Sequence, residues 1–101
     1  MTEEIKEIKK IIEEIQVNYR KKLKTDKEIF YHLLEQIGKH IIKLTKLKEK
    51  EDKEGHFKEE VADMYLLSLG LIELEKIDDK KIKKAAKYYL SKVKEVFGDG
   101  N

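Results

Sequence analysis

Three carboxylates stand close together at the point where a charged stretch of the chain gives way to an apolar one. Glu59, Glu60 and Asp63 occur within GHFKEEVADMYLLSLGLIEL, residues 55–74, and Asp63 already lies inside the apolar run. Taking an isolated carboxylate out of water costs several kcal/mol unless a cation or hydrogen-bond donors meet it. Asp63 therefore needs a partner, and the sequence raises the question of which group that partner is.

The spacing of these carboxylates places them on one face of a helix. Glu60 precedes Asp63 by three residues and Glu59 precedes it by four, and residues at these separations are neighbours on a helical surface. Hard divalent cations such as Mg²⁺ take oxygen ligands and are commonly held by one or two carboxylates together with substrate phosphates. The pattern indicates either a Mg²⁺ site or carboxylates that serve only the structure.

Length and composition limit the classes of protein to which the chain can belong. Its 101 residues predict one domain, residues 1–101. Lys and Arg number 23 against 21 Asp and Glu, and so small a basic excess argues against nucleic acid as a partner. The absence of cysteine excludes disulfides, thiolate metal sites and cysteine nucleophiles.

The hydrophobic pattern predicts a cytoplasmic protein that does not enter a membrane. The first ten residues, MTEEIKEIKK, lack the apolar core of a signal peptide. The longest apolar stretch, residues 61–72, is too short to span a bilayer and is interrupted by polar and small residues.

The periodicity of apolar residues predicts an all-α fold. The chain has no proline, and apolar residues three or four apart predict helices over about 3–24, 26–48, 57–77 and 79–97. Thr25 and Glu28 form a capping-box signature before the second helix, and Asp78 or Asp79 caps the fourth. The charged segment 48–56 is the one sizeable loop, so we expect an antiparallel four-helix bundle.

The third predicted helix differs from the others because residues 61–74 are apolar on nearly every side. A helix that is apolar all round is buried all round, and three other helices can scarcely surround it. We therefore expect self-association, as a homodimer or homotetramer, with Ser68 and Gly70 permitting close approach of helices. The alternative is an unusually central helix in a monomer.

Two segments resemble the motifs of the MazG-like all-α nucleotide pyrophosphohydrolases. EEVADMYLLSLGLIELEKID is similar to their second motif and to that of their relative, phosphoribosyl-ATP pyrophosphohydrolase. LLEQIGKHIIKL, residues 33–44, resembles their first motif, with Gly38 setting the register. KYYLSKVK resembles a third, in which Lys87 matches while Ser91 and Lys94 replace Asn and Arg. The resemblance covers about residues 26–97.

The resemblance implies hydrolysis of a nucleoside triphosphate to the monophosphate and pyrophosphate. In this family, carboxylates from two facing helices hold Mg²⁺, and the reaction depends on positioning and charge neutralisation. On that template Glu60 and Asp63 are metal ligands, with Glu35 as a third. Glu59 either supports these ligands without binding the metal or activates the catalytic base. Glu59 and Glu60 are therefore the catalytic candidates. The phosphate-binding candidates are Lys87 and Lys94.

The first motif departs from the family pattern at two positions. In the register of Gly38, the two key glutamates are replaced by Gln36 and Lys39. Gln36 can still offer a carbonyl oxygen, whereas a protonated lysine cannot ligate a cation and repels one nearby. We expect the Lys39 ammonium to occupy the place of the metal and to pair with Asp63 or Glu60. The chain is then a degenerate or inactive member, and the alternative function is a non-catalytic helical oligomer that serves as an interaction or scaffold module.

Several other residues leave alternatives open. A different register pairs His32 with Glu35 and gives up the glycine match. His56 stands one turn before the paired glutamates, either as a ligand or, by preference, as a solvated histidine near a helix start. His40 either faces a pocket or, by preference, packs in a partly buried position. Basic residues of the fourth helix either attract phosphates or, by preference, form a solvated face, and these are Lys80, Lys81, Lys83, Lys84 and Lys87.

Overall fold

The computed structural model describes residues 2–49 and 55–98, and within these ranges the chain forms four α-helices and no β-strand. These are α1 (Glu3–Tyr19), α2 (Asp26–Glu49), α3 (His56–Leu74) and α4 (Asp79–Phe97). The all-α prediction is confirmed. Residues 50–54 of the predicted loop lie outside the described residues. Among the described helices, none combines the length and the apolar character that crossing a membrane requires.

Side-chain caps define the starts of α2 and α4. The Thr25 hydroxyl accepts a hydrogen bond from the Glu28 N–H at 3.1 Å, and the Glu28 carboxylate accepts one from the Lys24 N–H at 3.0 Å. The Thr25 hydroxyl thus satisfies an amide of the first turn, and the Glu28 side chain reaches back to the amide just before the cap rather than to that of Thr25. At α4, Asp78 is the capping aspartate, because its carboxylate accepts from the Lys81 N–H at 2.8 Å.

The first helix ends earlier than predicted. The apolar spacing continues to Leu23, but α1 stops at Tyr19, and the Leu23 N–H closes a turn onto the Tyr19 carbonyl at 2.8 Å. The Arg20 guanidinium binds the Asp26 carboxylate at 2.7 Å and ties this turn to the start of α2. Leu23 therefore belongs to a short connection rather than to the helical stripe.

The third helix also ends early, at Leu74 rather than Ile77. Lys76 adopts a left-handed backbone conformation with φ 54°, and the Ile77 N–H reaches back to the Ile72 carbonyl at 3.0 Å. This hydrogen-bond pattern is a Schellman motif, in which a left-handed residue stops the helix and satisfies its last carbonyls. Lys76 thus sets the direction in which the chain leaves α3.

The core forms where α1 and α2 pack against α3. The α2–α3 pair is antiparallel, because Leu33 lies beside Gly70 whereas His40, further along α2, lies beside Glu60, earlier in α3. The buried apolar side chains of the described residues are Ile12, Ile29 and Leu33. Gln16 of α1 is also buried, and its side-chain amide donates to the carbonyl of Gly70 at 3.3 Å. Gly70 therefore permits a close approach of α1 and α2 to α3 within one chain.

The fourth helix stands apart from this core. Within the described ranges α4 makes no extended contact with the other helices, and each of its residues except Val93 is exposed. Apolar side chains of α4, among them Tyr89, Leu90 and Phe97, are exposed. A single chain therefore forms a three-helix core and carries α4 beside it.

Candidate metal centre

The structure brings the paired carboxylates of α3 to the interface with α2. Glu60 is 7% exposed, and Asp63, one helical turn later, is half-buried. Opposite them on α2 lie His40 and Lys43, which are also one turn apart. Two acidic groups of α3 thus meet two basic groups of α2.

Each carboxylate oxygen of Glu60 has a basic group beside it. The Lys43 ammonium lies 2.8 Å from Oε1 of Glu60, and Nε2 of His40 lies 3.2 Å from Oε2. His40 Nε2 is also 3.5 Å from Oδ2 of Asp63. The hydrogen bond to Glu60 and the charge of that carboxylate raise the pKa of Lys43 above its ordinary value, and the charge of Asp63 adds to the effect.

The second ring nitrogen of His40 determines what Nε2 can do. Nδ1 lies 2.8 Å from the backbone carbonyl oxygen of Gln36, and because a carbonyl can only accept, Nδ1 carries a hydrogen. In the neutral ring Nε2 would then turn a lone pair toward two carboxylates, which is repulsive. A metal cation at this position, or a proton shared between Nε2 and the carboxylates, would remove that repulsion.

Three side chains at this interface form a set that can hold a metal ion. One ligand atom each from His40, Glu60 and Asp63 lie within 4.8 Å of one another. Oε2 of Glu60 is buried and has no hydrogen-bond partner among the described residues. A histidine that donates its other N–H to a backbone carbonyl is the usual arrangement for a ligating imidazole. The residues present thus fit a divalent cation.

The donor set favours a different metal from the predicted one. Mg²⁺ prefers oxygen ligands and retains several waters, whereas imidazole suits Zn²⁺, Fe²⁺ and related ions, and carboxylates suit Mn²⁺. One imidazole with two carboxylates is therefore better matched to Zn²⁺ or Mn²⁺ than to Mg²⁺. The ammonium of Lys43 competes with any cation for Glu60.

Lys39 does not make the contact expected of it. Its ammonium pairs with Glu35 at 3.2 Å on the exposed surface of α2, and both side chains are more than 60% exposed. Glu35, the predicted third metal ligand, and Lys39, the predicted substitute for the metal, therefore pair with each other. The role expected of Lys39, a cation placed against Asp63 or Glu60, falls to His40 and Lys43.

The other predicted site residues lie around the cluster or away from it. Glu59 is exposed on the first turn of α3, and Gln36 supplies its backbone carbonyl to His40. Lys87 and Lys94 are exposed on α4, outside the contacts of the cluster. His56 is exposed at the start of α3.

The alternative register fails because of where His32 lies. Its ring meets Tyr19 of α1 edge to face, with centroids 5.0 Å apart. It is therefore part of the packing between α1 and α2 and not part of the carboxylate cluster. Burial raises the pKa of the Tyr19 phenol at this contact.

His40 was expected to pack rather than to bind a ligand, and Lys43 was not among the predicted site residues. A signal for both was present, because Gln36, His40 and Lys43 continue the spacing of three and four that begins with Ile29 and Leu33. Residues on such a stripe face the same neighbour. In comparisons with known proteins, no protein-family model, no curated protein and no solved structure matches this chain.

Proposed function

We propose that the chain is a metal-dependent nucleotide pyrophosphohydrolase of the MazG-like type, in which His40 takes the place of the α2 carboxylates missing at Gln36 and Lys39. The observation that supports this function is the group of three metal-binding side chains, His40, Glu60 and Asp63, within 4.8 Å of one another. The substrate is a nucleoside triphosphate, and the products are the monophosphate and pyrophosphate.

Each residue of the cluster has a separate part in this proposal. Glu60, Asp63 and His40 hold the metal, which when bound supplies positive charge to the phosphate oxygens. The Gln36 carbonyl keeps the hydrogen on Nδ1 of His40, so that Nε2 is turned toward the site. Lys43 balances part of the charge of Glu60, and Glu59, exposed on the same turn of α3, accepts the proton of the attacking water.

Nucleotide hydrolysis can be tested directly. We expect pyrophosphate release from at least one NTP or dNTP with Mn²⁺ or Zn²⁺, and less with Mg²⁺. Asp63→Asn should abolish the activity because it removes a ligand charge, whereas Asp79→Asn, which changes an exposed carboxylate on α4 in the same way, should not. Absence of turnover with every nucleotide and metal would contradict the proposal.

Metal binding can be measured without activity. Calorimetric titration with Zn²⁺ should show one site whose affinity falls more than about 100-fold in His40→Gln, since loss of an outer partner alone typically costs about 10–100-fold. His32→Gln is the matched control, because His32 lies on the same helix but contacts Tyr19. Equal affinity in the His40 and His32 variants would rule out this ligand set.

A second candidate function is supported by Lys43. Its ammonium at 2.8 Å from Glu60, together with a protonated His40, neutralises both α3 carboxylates without a metal. In that case the cluster joins α2 to α3 in a non-catalytic helical module. This function predicts no turnover and no metal-dependent rise in the thermal midpoint. It also predicts that Glu60→Gln loses stability, because two cations lose their partner.

A further inference from the structure

We propose that α4 docks on a second copy of this chain, where its apolar stripe lies against α1 and α3 of that copy. The reciprocal contact closes a symmetric dimer in which each chain completes the bundle of the other. The proposal does not depend on the metal chemistry, so either can fail while the other stands.

The sequence of α4 is that of a packed helix, although the chain itself leaves it unpacked. Ile82, Ala86, Tyr89, Val93 and Phe97 recur at intervals of three or four and form a continuous stripe. Tyr89 is 71% exposed and Phe97 is 78% exposed. Most helical stability in proteins comes from packing an amphipathic face, so a 19-residue helix of this composition needs a surface to cover its stripe.

The amount of uncovered surface matches a dimer interface. The chain presents 8711 Å² of accessible surface, whereas a folded monomer of 12.0 kDa presents about 6,000 Å². The surplus of about 2,700 Å² per chain exceeds the roughly 800 Å² per partner of a standard interface. Counted over two chains it is about 5,400 Å², at the upper end of the range of obligate assemblies. The Cα radius of gyration, 16.6 Å, likewise exceeds the value of about 13 Å for a compact chain of this length.

The charges of the helices indicate which surface α4 meets. It carries seven lysines against two acidic residues, and lysines flank its stripe on both sides, so two α4 helices would repel each other. By contrast, α1 has five glutamates against three lysines. Of the four acidic residues of α3, two are engaged by α2, and the exposed ones, Glu59 and Glu73, stand against a single lysine in that helix.

Those two acidic helices also expose apolar side chains that α4 can cover. Ile11 of α1 is 53% exposed, and Val61 and Tyr65 of α3 are 47% and 59% exposed. Opposite charge and matching apolar surface favour this pairing over α4 against α4. The first turn of α4 shares a cleft with its own chain, where Ile82 lies beside Ile12 of α1 and Leu69 of α3. Beyond that turn α4 makes no extended contact with α1 or α3 of its own chain, so the surfaces left for its stripe are those of another molecule.

The oligomeric state is the first test. At tens of micromolar, the wild-type chain should sediment as a dimer, and Val93→Glu, which places a carboxylate in the centre of the stripe, should sediment as a monomer. Ser91→Glu adds the same charge on the opposite face of α4 and should remain a dimer. Circular dichroism would check that both variants keep their helices. A monomeric wild type, or equal behaviour of the two variants, would overturn the proposal.

Cross-linking identifies the surfaces in contact. Because the chain has no cysteine, Ile11→Cys and Tyr89→Cys each carry a single thiol. A mixture of the two variants, equilibrated and treated with a short bis-maleimide, should form covalent dimers, whereas Tyr89→Cys alone should not. Efficient dimers from Tyr89→Cys alone would show α4 against α4. In a chain that carries both substitutions, cross-links formed only within that chain would show α4 folded back. Either result would overturn the proposal.

Discussion

Glu60 is a buried carboxylate with a basic group at each of its oxygens. Of the side chains of His40, Lys43 and Glu60, two are largely out of water. Counting side-chain atoms alone, His40 is 20% exposed and Glu60 is 9% exposed. Removing one partner from such a pair leaves an uncompensated charge and typically costs about 3–5 kcal/mol. The Lys43 side chain is 65% exposed, so water screens its contribution, and the interaction with His40 is the less screened of the two.

The titration of Lys43 tests the ion pair directly. Because Glu60 raises its pKa, the pair stabilises the fold fully below the ordinary lysine value of 10.5 and stops doing so as the pH rises through the higher folded value. In metal-free protein, Glu60→Gln should lower the Lys43 midpoint, measured by NMR at the side-chain carbon next to the ammonium. As a control, Glu35→Gln removes an exposed carboxylate from α2, the helix that carries Lys43, and should leave the Lys43 midpoint unchanged.

The carboxylates of the site were more predictable than their partners. The spacing of Glu60 and Asp63 alone places them on one helical face. The identity of the facing group depends on how α2 is rotated about its axis, which the packing of Ile29 and Leu33 determines. Motif resemblance set a register from Gly38 and pointed to Lys39, whereas the packing turns the next residue, His40, toward α3.

Two glycines in the helical elements have opposite structural requirements. A Cβ at Gly38, in the middle of α2, would meet no atom within 4 Å. Gly55, at the start of α3, has φ 75°, a conformation that residues with a side chain adopt at a cost. The same substitution should therefore have opposite effects at the two positions.

Alanine at these glycines provides an element-scale prediction. Gly38→Ala should raise the free energy of unfolding by about 1 kcal/mol, because alanine is the better helix former. Gly55→Ala should lower it by about 1 kcal/mol, because of the left-handed backbone. Urea denaturation monitored by circular dichroism measures both. A loss of stability in Gly38→Ala would mean that a neighbouring surface approaches α2 closely at this point.

Helix positions were predictable wherever capping and periodicity agree. Both bounds of α4 are as predicted, and those of α2 differ by one residue at its end, because Thr25 and Asp78 mark their starts. The ends of α1 and α3 were not predictable, because Leu23 and Ile77 keep the apolar spacing while the backbone has already turned. At Lys76 the stop is a left-handed residue without the glycine that normally signals it.

At the scale of the whole molecule, the chain leaves the apolar stripe of α4 uncovered. An amphipathic pattern on α4 predicts that a face is covered, but it carries no information on whether the covering surface belongs to the same chain. The prediction of self-association rested on the apolar character of α3, whereas the larger uncovered surface belongs to α4.

Thermal stability should consequently depend on protein concentration. If folding and dimerisation are coupled, a tenfold dilution should lower the thermal midpoint by about 3–5 °C, because dissociation is favoured at low concentration. Val93→Glu should unfold at a midpoint that does not change with concentration. Scanning calorimetry over a hundredfold concentration range would decide between these behaviours, and a constant wild-type midpoint would contradict coupled assembly.

The antiparallel packing of α2 on α3 also has a kinetic consequence. These helices are consecutive in the chain, so their contacts join residues that are near one another in sequence, and such local contacts form quickly. The hairpin of α2 and α3 should therefore assemble in a fast step whose rate is independent of concentration. If α4 docks on a second copy, as proposed above, that step requires a collision between two molecules and should follow as a slower, second-order step.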